Sequence, residues 1–361
     1  MAEIILQNVQ KKFGEFTAVT ESDLKIKNGD FFVLLGPSGC GKTTTLRMIA
    51  GLEIPTSGKI LLDNNNVTSL KASQRDIAFV FQLFALYPHL NVEKNLSFPL
   101  KMQKMKKIDI KQRVTEVSQL LRIEHLLKSK VSGLSGGDRQ RVALGRAIVR
   151  RPAAFLMDEP LGTLDAEFRE QMCFELKKLH TRIEATTVYV THDQIEAMTM
   201  GDRVAVMNQG EILQTGTPNE IYSKPKTKFV GFFIGSPSMN FIPVDSAIEK
   251  GINNISINGD LFSIPVQHQG TSSKKNVIGV RPENMKLTQD DGIAGEIYGS
   301  EYLGTRKILT INTDVGQLKV RVSKDTNHSI NENVKIGFDS KSAIIFDGAS
   351  EKALQSEYMT I

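Results

Sequence analysis

The chain has 361 residues, enough for two domains, and its 40% hydrophobic and 7% aromatic residues suffice for two cores. Its 45 basic and 40 acidic residues leave a formal charge of +5 that is spread along the chain, whereas a nucleic-acid-binding protein usually concentrates its basic residues in a stripe. No apolar run approaches the ~20 residues that cross a bilayer, and the segment MAEIILQNVQ lacks the apolar centre of a signal peptide, so we expect a globular protein that does not itself span a membrane.

From Ile4 to about Phe233, short apolar runs alternate with helical patterns. The predicted strands are, in chain order, Phe31–Leu35, Ile77–Phe81, Ala154–Asp158, Thr187–Thr191 and Val204–Met207. The predicted helices are Lys42–Ala50, Arg139–Arg150 and Ala166–Glu184, and the pattern from Asn91 to Lys130 is helical without strands. This alternation predicts an α/β fold in which helices cover a largely parallel sheet, with an inserted helical arm at about residues 91–133.

Beyond the segment FFIGSPSMNFIPV the pattern changes to short strands separated by Gly, Asn, Asp and Ser. The predicted strands there are Ser256–Asn258, Val277–Val280, Lys307–Ile311, Leu318–Val322 and Ala343–Phe346. Their spacing predicts a small all-β domain and would suit a barrel of the oligomer-binding type. We therefore place a boundary near Gly235, which divides the chain into an α/β domain at 1–235 and a β-rich domain at 236–361.

The chain has two cysteines, Cys40 and Cys173. They are too few for a disulfide framework, and the residues around them lack the Cys/His spacing of a metal site, which fits a reducing cytoplasm. We interpret Cys40 as a small loop residue rather than a nucleophile, because no neighbouring residue supplies a dedicated base.

The segment FFVLLGPSGCGKTTTLRMIA has the pattern of a buried strand, a glycine-rich turn and a helix, and it contains the phosphate-loop motif GxxxxGK[ST]. Backbone N–H groups of such a turn bind phosphate oxygens, and the helix N-terminus adds the positive end of its dipole. Lys42 should reach the β- and γ-phosphates, and the Thr43 hydroxyl should coordinate Mg²⁺. The alternative is an ordinary glycine turn before a helix. The predicted nucleotide-binding residues are Gly36, Pro37, Ser38, Gly39, Cys40, Gly41, Lys42, Thr43 and Thr44.

In the segment AAFLMDEP an apolar strand ends in two carboxylates. Asp158 suits a Mg²⁺ partner, reached directly or through water, and Glu159 suits a base that orients or deprotonates the attacking water. An ordinary polar turn at a strand end is the alternative, and the phosphate loop makes it the weaker one. Together these features indicate a nucleotide triphosphatase and leave a GTPase, a kinase and a motor open.

The sequence LSGG at Leu134–Gly137 lies after the phosphate loop and shortly before FLMDEP. With these residues the chain resembles the ATP-binding cassette family. Six segments occur in the family's order: Phe13 in KKFGEF, the phosphate loop, Gln82 in VFQ, LSGG, FLMDEP, and TLDA followed by YVTHD. The resemblance makes the nucleotide ATP and covers the first 235 or so residues.

Further segments resemble the ATPase subunits of carbohydrate and glycerol-phosphate importers. They are FQLFALYPHL, ALGRAIVRRP, VTHDQIEAMTMGDRVAVMNQGEILQTGTPNEIY and FIGSPSMNF. GVRPENMKL and EYLGTRKILTI are similar to strands of the oligomer-binding-type (TOBE-like) regulatory domain that follows the ATPase domain in those importers. The resemblance thus extends over nearly the whole chain.

The resemblance implies roles for single residues. Phe13 would stack on adenine, although a core phenylalanine is the alternative. Gln82 would contact Mg²⁺ or the attacking water and respond to the helical arm. His192 would contact the γ-phosphate and position the water, which makes Glu159, His192 and Gln82 the catalytic set. The implied Mg²⁺ ligands are Thr43, Gln82 and Asp158.

A second group of residues would serve the ATP of another subunit. In the family, ATP lies between the phosphate loop of one subunit and the LSGG loop of the next, so Ser135, Gly136 and Gly137 should face the partner's γ-phosphate. Asp165 lies in the loop that crosses to the partner, where Gly162 and Thr163 depart from the usual Ser-Asn or Ser-Ala pair. Asp138 stands where the family usually has glutamine. A pair with Arg139 or Arg141 could offset much of its repulsion from phosphate, and we expect Asp138 to weaken ATP-driven closure modestly without abolishing hydrolysis.

The implied protein is a homodimeric ATPase, peripheral on the cytoplasmic face of the cell membrane, with ATP and Mg²⁺ as cofactors. It would work with two transmembrane permease subunits and, indirectly, an extracytoplasmic solute-binding protein, and with no nucleic acid. Importers of polyamine, ferric iron or sulfate share the same plan and are the nearest alternative. A soluble ATPase of translation or DNA repair, or a non-catalytic cassette, is a more distant one.

Overall fold

The computed structural model describes residues 2–82, 85–162, 164–183, 185–244, 246–289 and 291–359. The chain forms two compact units, Met1–Pro218 and Asn219–Ile361. The first unit therefore ends earlier than the predicted boundary at Gly235, because the two short helices that follow Thr217 group with the strands of the second unit.

The first unit contains ten strands and six helices in its described residues. The strands are β1 (Ile4–Phe13), β2 (Phe16–Ile26), β3 (Phe31–Leu35), β4 (Ser57–Leu62), β5 (Asn65–Asn66), β6 (Ile77–Val80), β7 (Ala154–Asp158), β8 (Thr186–Thr191), β9 (Arg203–Asn208) and β10 (Glu211–Gly216). The helices are α1 (Lys42–Ala50), α2 (Val92–Met102), α3 (Lys107–Leu120), α4 (Gly136–Ile148), α5 (Ala166–Ile183) and α6 (Gln194–Met200). The end predicted for α5, Glu184, lies outside the described residues.

The central sheet has the strand order β10-β9-β3-β8-β7-β6. All of its pairs are parallel except that of β9 with β10. Every residue of β3 and β7 is buried, as expected of parallel strands whose two faces are covered. The predicted parallel sheet is confirmed, and it brings the carboxyl ends of β3, β7 and β8 to one edge.

A second, antiparallel sheet was not predicted. It has the order β2-β1-β4-β5, and its first two strands form a hairpin in which Phe13 lies opposite Phe16. The turn of the hairpin contains Gly14 with a φ of +56°. This hairpin places two aromatic side chains beside the phosphate loop.

The helical arm packs on the helix that follows LSGG. Asn91 caps α2 by accepting a hydrogen bond from the backbone N–H of Lys94 at 2.9 Å. Where α4 meets the arm, a Cβ built on Gly145 would lie 2.7 Å from Leu96 and 3.0 Å from Leu121. A larger residue at this position would push these two side chains aside, so α4 and the arm are closely packed here.

The second unit is rich in β-strands, as predicted. Its helices are α7 (Pro218–Ser223), which starts at the boundary, and α8 (Lys228–Phe233). Its strands are β11 (Asn240–Val244), β12 (Asn254–Ile257), β13 (Asp260–Ser263), β14 (Asn276–Val280), β15 (Met285–Thr288), β16 (Ile293–Tyr302), β17 (Arg306–Thr313), β18 (Gly316–Ser323), β19 (Asn333–Phe338) and β20 (Ile344–Phe346). They form sheets of order β15-β19-β16-β17-β18, β11-β14-β20 and β12-β13 around a largely aliphatic core.

Arg281, in the segment VRPEN, has a structural role inside the second unit. Its guanidinium is buried and donates hydrogen bonds to the backbone carbonyls of Gly231, Ile234 and Tyr222. Glu283 accepts a hydrogen bond from the Tyr222 hydroxyl at 2.6 Å. These contacts fasten α7 and α8 to the strands of the unit, which explains why the two helices group with it.

Candidate functional site

The phosphate loop connects β3 to α1 and is pressed against two strands. A Cβ on Gly36 would lie 2.2 Å from the carbonyl oxygen of Met207, and one on Gly41 would lie 2.6 Å from that of Ala18. Gly41 also has a φ of +103° immediately before α1 begins. The loop can follow this path only with glycine at both positions. It therefore presents its backbone and the N-terminus of α1 at the carboxyl edge of the sheet, which is an anion-binding arrangement.

Lys42 lies on the inner side of this loop and is only 4% exposed. Its Nζ donates hydrogen bonds to the carbonyl oxygens of Gly36 and Pro37, each at 2.8 Å. The Cys40 thiol lies 3.8 Å from the same Nζ, and burial raises its pKa. A neutral, buried thiol agrees with our interpretation of Cys40 as a structural loop residue.

Thr43, at the start of α1, contacts Asp158, at the carboxyl end of β7. The Thr43 hydroxyl donates a hydrogen bond to Asp158 Oδ1 at 2.8 Å. Burial raises the pKa of Asp158, which is 8% exposed, and the hydrogen bond from Thr43 opposes that rise. A hydroxyl and a carboxylate are hard oxygen donors of the kind that bind Mg²⁺ together with nucleotide phosphates. The donor set thus fits the predicted metal.

Glu159 and His192 follow two neighbouring parallel strands, β7 and β8. His192 Nδ1 lies 3.3 Å from Glu159 Oε2. The backbone N–H of Glu159 donates to the carbonyl of Val190 at 3.1 Å, and Glu159 has a φ of +43°. Gln82 is close as well. A Cβ built on Gly162 would lie 3.9 Å from Gln82 Nε2 and 4.0 Å from Glu159 Cβ, so both side chains flank Gly162. The structure therefore brings the three predicted catalytic residues to one place.

A cavity of about 240 Å³ lies over the phosphate loop. It is lined by Phe13, Phe16, Ala18, Ser38, Gly39, Gly41, Lys42, Thr43, Thr44 and Glu159. Phe13 and Phe16 are 48% and 65% exposed, so aromatic surface lies open beside the phosphate-binding residues. Sequence reasoning identified Phe13 but missed Phe16, whose position opposite Phe13 in the hairpin could have been recognised from the Gly14 turn.

The LSGG segment forms the start of α4, where Ser135 is the N-cap residue. Its Oγ accepts a hydrogen bond from the Asp138 backbone N–H at 3.1 Å and donates one to Asp138 Oδ2 at 2.8 Å. Asp138 Oδ1 is paired with Arg141 at 3.3 Å, and Arg141 also contacts Glu175 at 3.3 Å. The predicted pair with Arg141 is confirmed, and Asp138 is bonded on both carboxylate oxygens.

Ser135, Gly136 and Gly137 do not line the cavity over the phosphate loop in the described part of the chain. The same holds for Asp165, whose carbonyl accepts a hydrogen bond from the Arg169 backbone N–H at 2.9 Å. Thr163, part of the unusual Gly-Thr pair, lies outside the described residues. The predicted ATP contacts therefore fall into two groups, one around the cavity and one at the start of α4 and the adjacent loop.

Three family models match the chain. One described as ABC transporter matches residues 19–162, one described as MalK OB fold domain matches residues 235–285, and one described as TOBE domain matches residues 278–346. The first covers the phosphate loop and the carboxylates, and the other two cover most of the β-rich region. The α/β part and the β-rich part of the chain are thus matched by separate family models.

Individual relatives match over almost the full length. A trehalose/maltose import ATP-binding protein of Thermococcus litoralis is 45% identical over 98% of this chain and 100% of its own length. An sn-glycerol-3-phosphate import ATP-binding protein of Salmonella typhi is 43% identical over 96% of this chain and 98% of its own. A dimeric ATP-binding cassette in a post-hydrolysis state, bound to ADP and Pi, superposes with a TM-score of 0.54 at 34% identity, covering 60% of this chain and 98% of that one. The chain belongs to the ATP-binding cassette family and is an ATP-binding, ATP-hydrolysing importer subunit.

Proposed function

We propose that this chain energises the uptake of a carbohydrate or glycerol-phosphate through separate transmembrane permease subunits. The observation that carries the ATPase part is the pairing of Glu159 with His192 at 3.3 Å beside the phosphate loop. The cargo class is supported by the full-length similarity to import proteins whose names specify trehalose, maltose and glycerol-phosphate. Since such names favour carbohydrates, the importers of polyamine, ferric iron or sulfate are the weaker alternative.

In this proposal the residues around the cavity divide the chemistry of hydrolysis. The ring of Phe13 stacks on the adenine, and Lys42 with the N–H groups of the loop holds the β- and γ-phosphates. Thr43, Asp158 and Gln82 would hold Mg²⁺, which would supply positive charge to neutralise the phosphates. The Glu159 carboxylate orients the attacking water and accepts its proton, and His192 positions that carboxylate and contacts the γ-phosphate.

The position of LSGG supports a dimer with shared ATP sites. Ser135, Gly136 and Gly137 do not line the described cavity of their own chain, so in this proposal they close over the ATP of a second subunit. A solved relative, a dimeric cassette bound to ADP and Pi, is consistent with this arrangement. Closure would draw the two helical arms together through the tight contact of α2 with α4 and would change the access of the permease.

The remaining partners follow from the proposed role. None of the helices in the described residues has both the length and the apolar character needed to span a bilayer. The similarity to importer ATP-binding proteins supports placing the dimer at the cytoplasmic face of the cell membrane, bound to two permease subunits and served by an extracytoplasmic solute-binding protein.

Replacing Glu159 by Gln tests the ATPase and dimer parts together. The phosphate loop survives the change while the carboxylate that activates water is lost, so the variant should bind ATP, hydrolyse it very slowly and accumulate as a dimer. Gel filtration of the full chain with Mg-ATP measures this. As a control, adding Lys42→Met to Glu159→Gln should abolish the dimer, because the phosphates lose their buried cation. A Glu159→Gln variant that elutes only as monomer would count against the shared-site arrangement.

The cargo requires a separate experiment. The full chain is assembled with its permease subunits, and ATP hydrolysis is measured with candidate solutes and their binding protein. Stimulation by a sugar, sugar alcohol or glycerol-phosphate supports the proposal, whereas stimulation by a polyamine, ferric iron or sulfate alone overturns the cargo class. Co-purification with ribosomes or DNA and no association with membranes would overturn transport altogether.

A further inference from the structure

Arg169 on α5 joins two loops that belong to different ATP sites in the proposed dimer. Its Nη2 donates a hydrogen bond to the carbonyl of Leu164 at 2.9 Å, in the loop that precedes Asp165. Its Nη1 forms an ion pair with Asp193 Oδ2 at 3.1 Å, directly after His192. One guanidinium thus contacts two loops. Leu164 belongs to the loop proposed to reach the partner's ATP, and Asp193 follows His192, which is proposed to contact the chain's own ATP.

The histidine side of this contact is firmly anchored. Asp193 is the N-cap of α6, and its Oδ1 accepts hydrogen bonds from the backbone N–H groups of Ile195 at 2.7 Å and Glu196 at 3.3 Å. The other carboxylate oxygen of Asp193 is bound to Arg169. A displacement of the guanidinium would therefore move Asp193 and, with it, the backbone between His192 and α6.

A buried carboxylate fixes the guanidinium from behind. Glu196 is 3% exposed and accepts hydrogen bonds from the Tyr189 hydroxyl at 2.8 Å and the Thr191 hydroxyl at 2.7 Å, both to Oε2. Its other oxygen lies 3.7 Å from Arg169 Nε. The guanidinium is therefore hydrogen-bonded through Nη1 and Nη2, while its Nε makes no hydrogen bond and only faces the Glu196 carboxylate at ion-pair distance.

The loop side also touches the start of α4. A Cβ built on Gly136 would lie 3.6 Å from Leu164 Cδ2, so the Leu164 side chain rests against the LSGG segment of the same chain. Fixing Leu164 thereby also restricts the segment that closes on the partner's ATP.

We infer that Arg169 is a positioning residue that couples the two ATP sites of the dimer. When His192 and Asp193 adjust to the γ-phosphate of their own site, the guanidinium transmits the change to Leu164, and hence to the loop and the LSGG segment at the opposite site. This inference rests on the proposed dimer. It predicts that Arg169 affects the cooperativity of hydrolysis more than the binding of ATP to a single chain.

The test compares Arg169→Gln and Arg169→Lys with the unmodified full chain. ATP hydrolysis is measured against Mg-ATP concentration, and binding of a fluorescent ATP analogue is measured on the dilute monomer. Loss of charge-assisted hydrogen bonds should lower kcat about tenfold and bring the Hill coefficient from above 1 down to about 1, while monomer affinity changes less than about twofold. Lysine retains the charge beside Glu196, but one ammonium cannot hold Leu164 and Asp193 together, so Arg169→Lys should be as stable as the unmodified chain without restoring cooperativity.

Lys177→Gln is the matched control, since Lys177 is on the same helix and forms an exposed ion pair with Asp202 at 2.6 Å. It should leave both kcat and the Hill coefficient unchanged. Full rescue of cooperativity by Arg169→Lys, or an unchanged Hill coefficient in Arg169→Gln, would overturn the inference. If the unmodified chain neither dimerises nor hydrolyses ATP, it is the proposed function that fails, so the two failures are distinguishable.

Discussion

Replacing Asp138 by Gln should lower the ATP concentration at which hydrolysis is half-maximal. A lone carboxylate ~8 Å from a phosphate charge would be repelled by about 2 kcal/mol at an effective dielectric of about 20. The Arg141 guanidinium 3.3 Å from Asp138 offsets most of this repulsion, because a cation at ~11 Å returns about 1.5 kcal/mol on the same scale. The residual of about 0.6 kcal/mol is the net repulsion in the native chain. Asp138→Gln removes the carboxylate and leaves the Arg141 cation in place, so it removes the full repulsion of about 2 kcal/mol, which corresponds to a change in half-saturation of at most about thirtyfold.

The hydroxyl of Ser135 adds to this effect in the same direction. It donates to Asp138 Oδ2 at 2.8 Å, and it must leave that carboxylate before it can donate to a phosphate of the partner's ATP. A glutamine oxygen is a weaker acceptor than a carboxylate, so Ser135 is released more easily in the variant. The helix itself should lose a little stability, about 0.3–1 kcal/mol, because a negative charge is removed from its first turn.

The assay is steady-state ATP hydrolysis by the full chain over a range of Mg-ATP concentrations. Arg141→Gln is the matched control, and it should raise the half-saturating concentration because it leaves the Asp138 carboxylate without its cation. Glu175→Gln separates the second contact of Arg141 and should have little effect. An unchanged or higher half-saturating concentration in Asp138→Gln, or a loss of activity, would refute the reasoning.

Two further predictions concern buried groups. Burial raises the pKa of both thiols, that of Cys173 to about 12, so neither Cys40 nor Cys173 should react with a thiol reagent at about pH 8 until the chain is unfolded; a rapidly reacting thiol in the native protein would contradict this. Burial also raises the pKa of Glu196 above its ordinary 4.5, so the folded state binds more protons than the unfolded state, and the free energy of unfolding should fall as pH rises from 4.5 towards the raised pKa. Chemical denaturation over that range should show Glu196→Gln gaining stability relative to the unmodified chain as pH rises, whereas a constant difference would contradict the assignment.

The parts of the site that lie on short, continuous segments could be predicted from the sequence. The phosphate loop and the pair Asp158 and Glu159 follow apolar strands directly, so their spacing along the chain fixes their position at the edge of the sheet. The bounds predicted for β3, β7 and α1 agree with the structure for the same reason.

Other features depend on contacts that are distant in sequence. The antiparallel sheet pairs β1 with β4, and β1 contains irregularities that obscure its alternation of buried and exposed residues. Helix α4 begins at Gly136, earlier than the predicted Arg139, because the Ser135 cap and the Asp138 carboxylate outweigh the low helix propensity of two glycines. The contacts of Arg169 could not be predicted from the sequence, because its partners lie on the loop before α5 and beyond β8.

The positive φ of Glu159 makes folding and turnover compete at a single residue. A side chain in that backbone conformation costs about 1 kcal/mol or more, which a glycine there would avoid while removing the carboxylate proposed to activate water. Selection for stability alone would therefore favour replacement of Glu159 by glycine, and only selection for uptake would keep glutamate there. Glutamine shares the backbone cost of glutamate, so a chain trapped by Glu159→Gln differs from the native one in its chemistry and not in its strain.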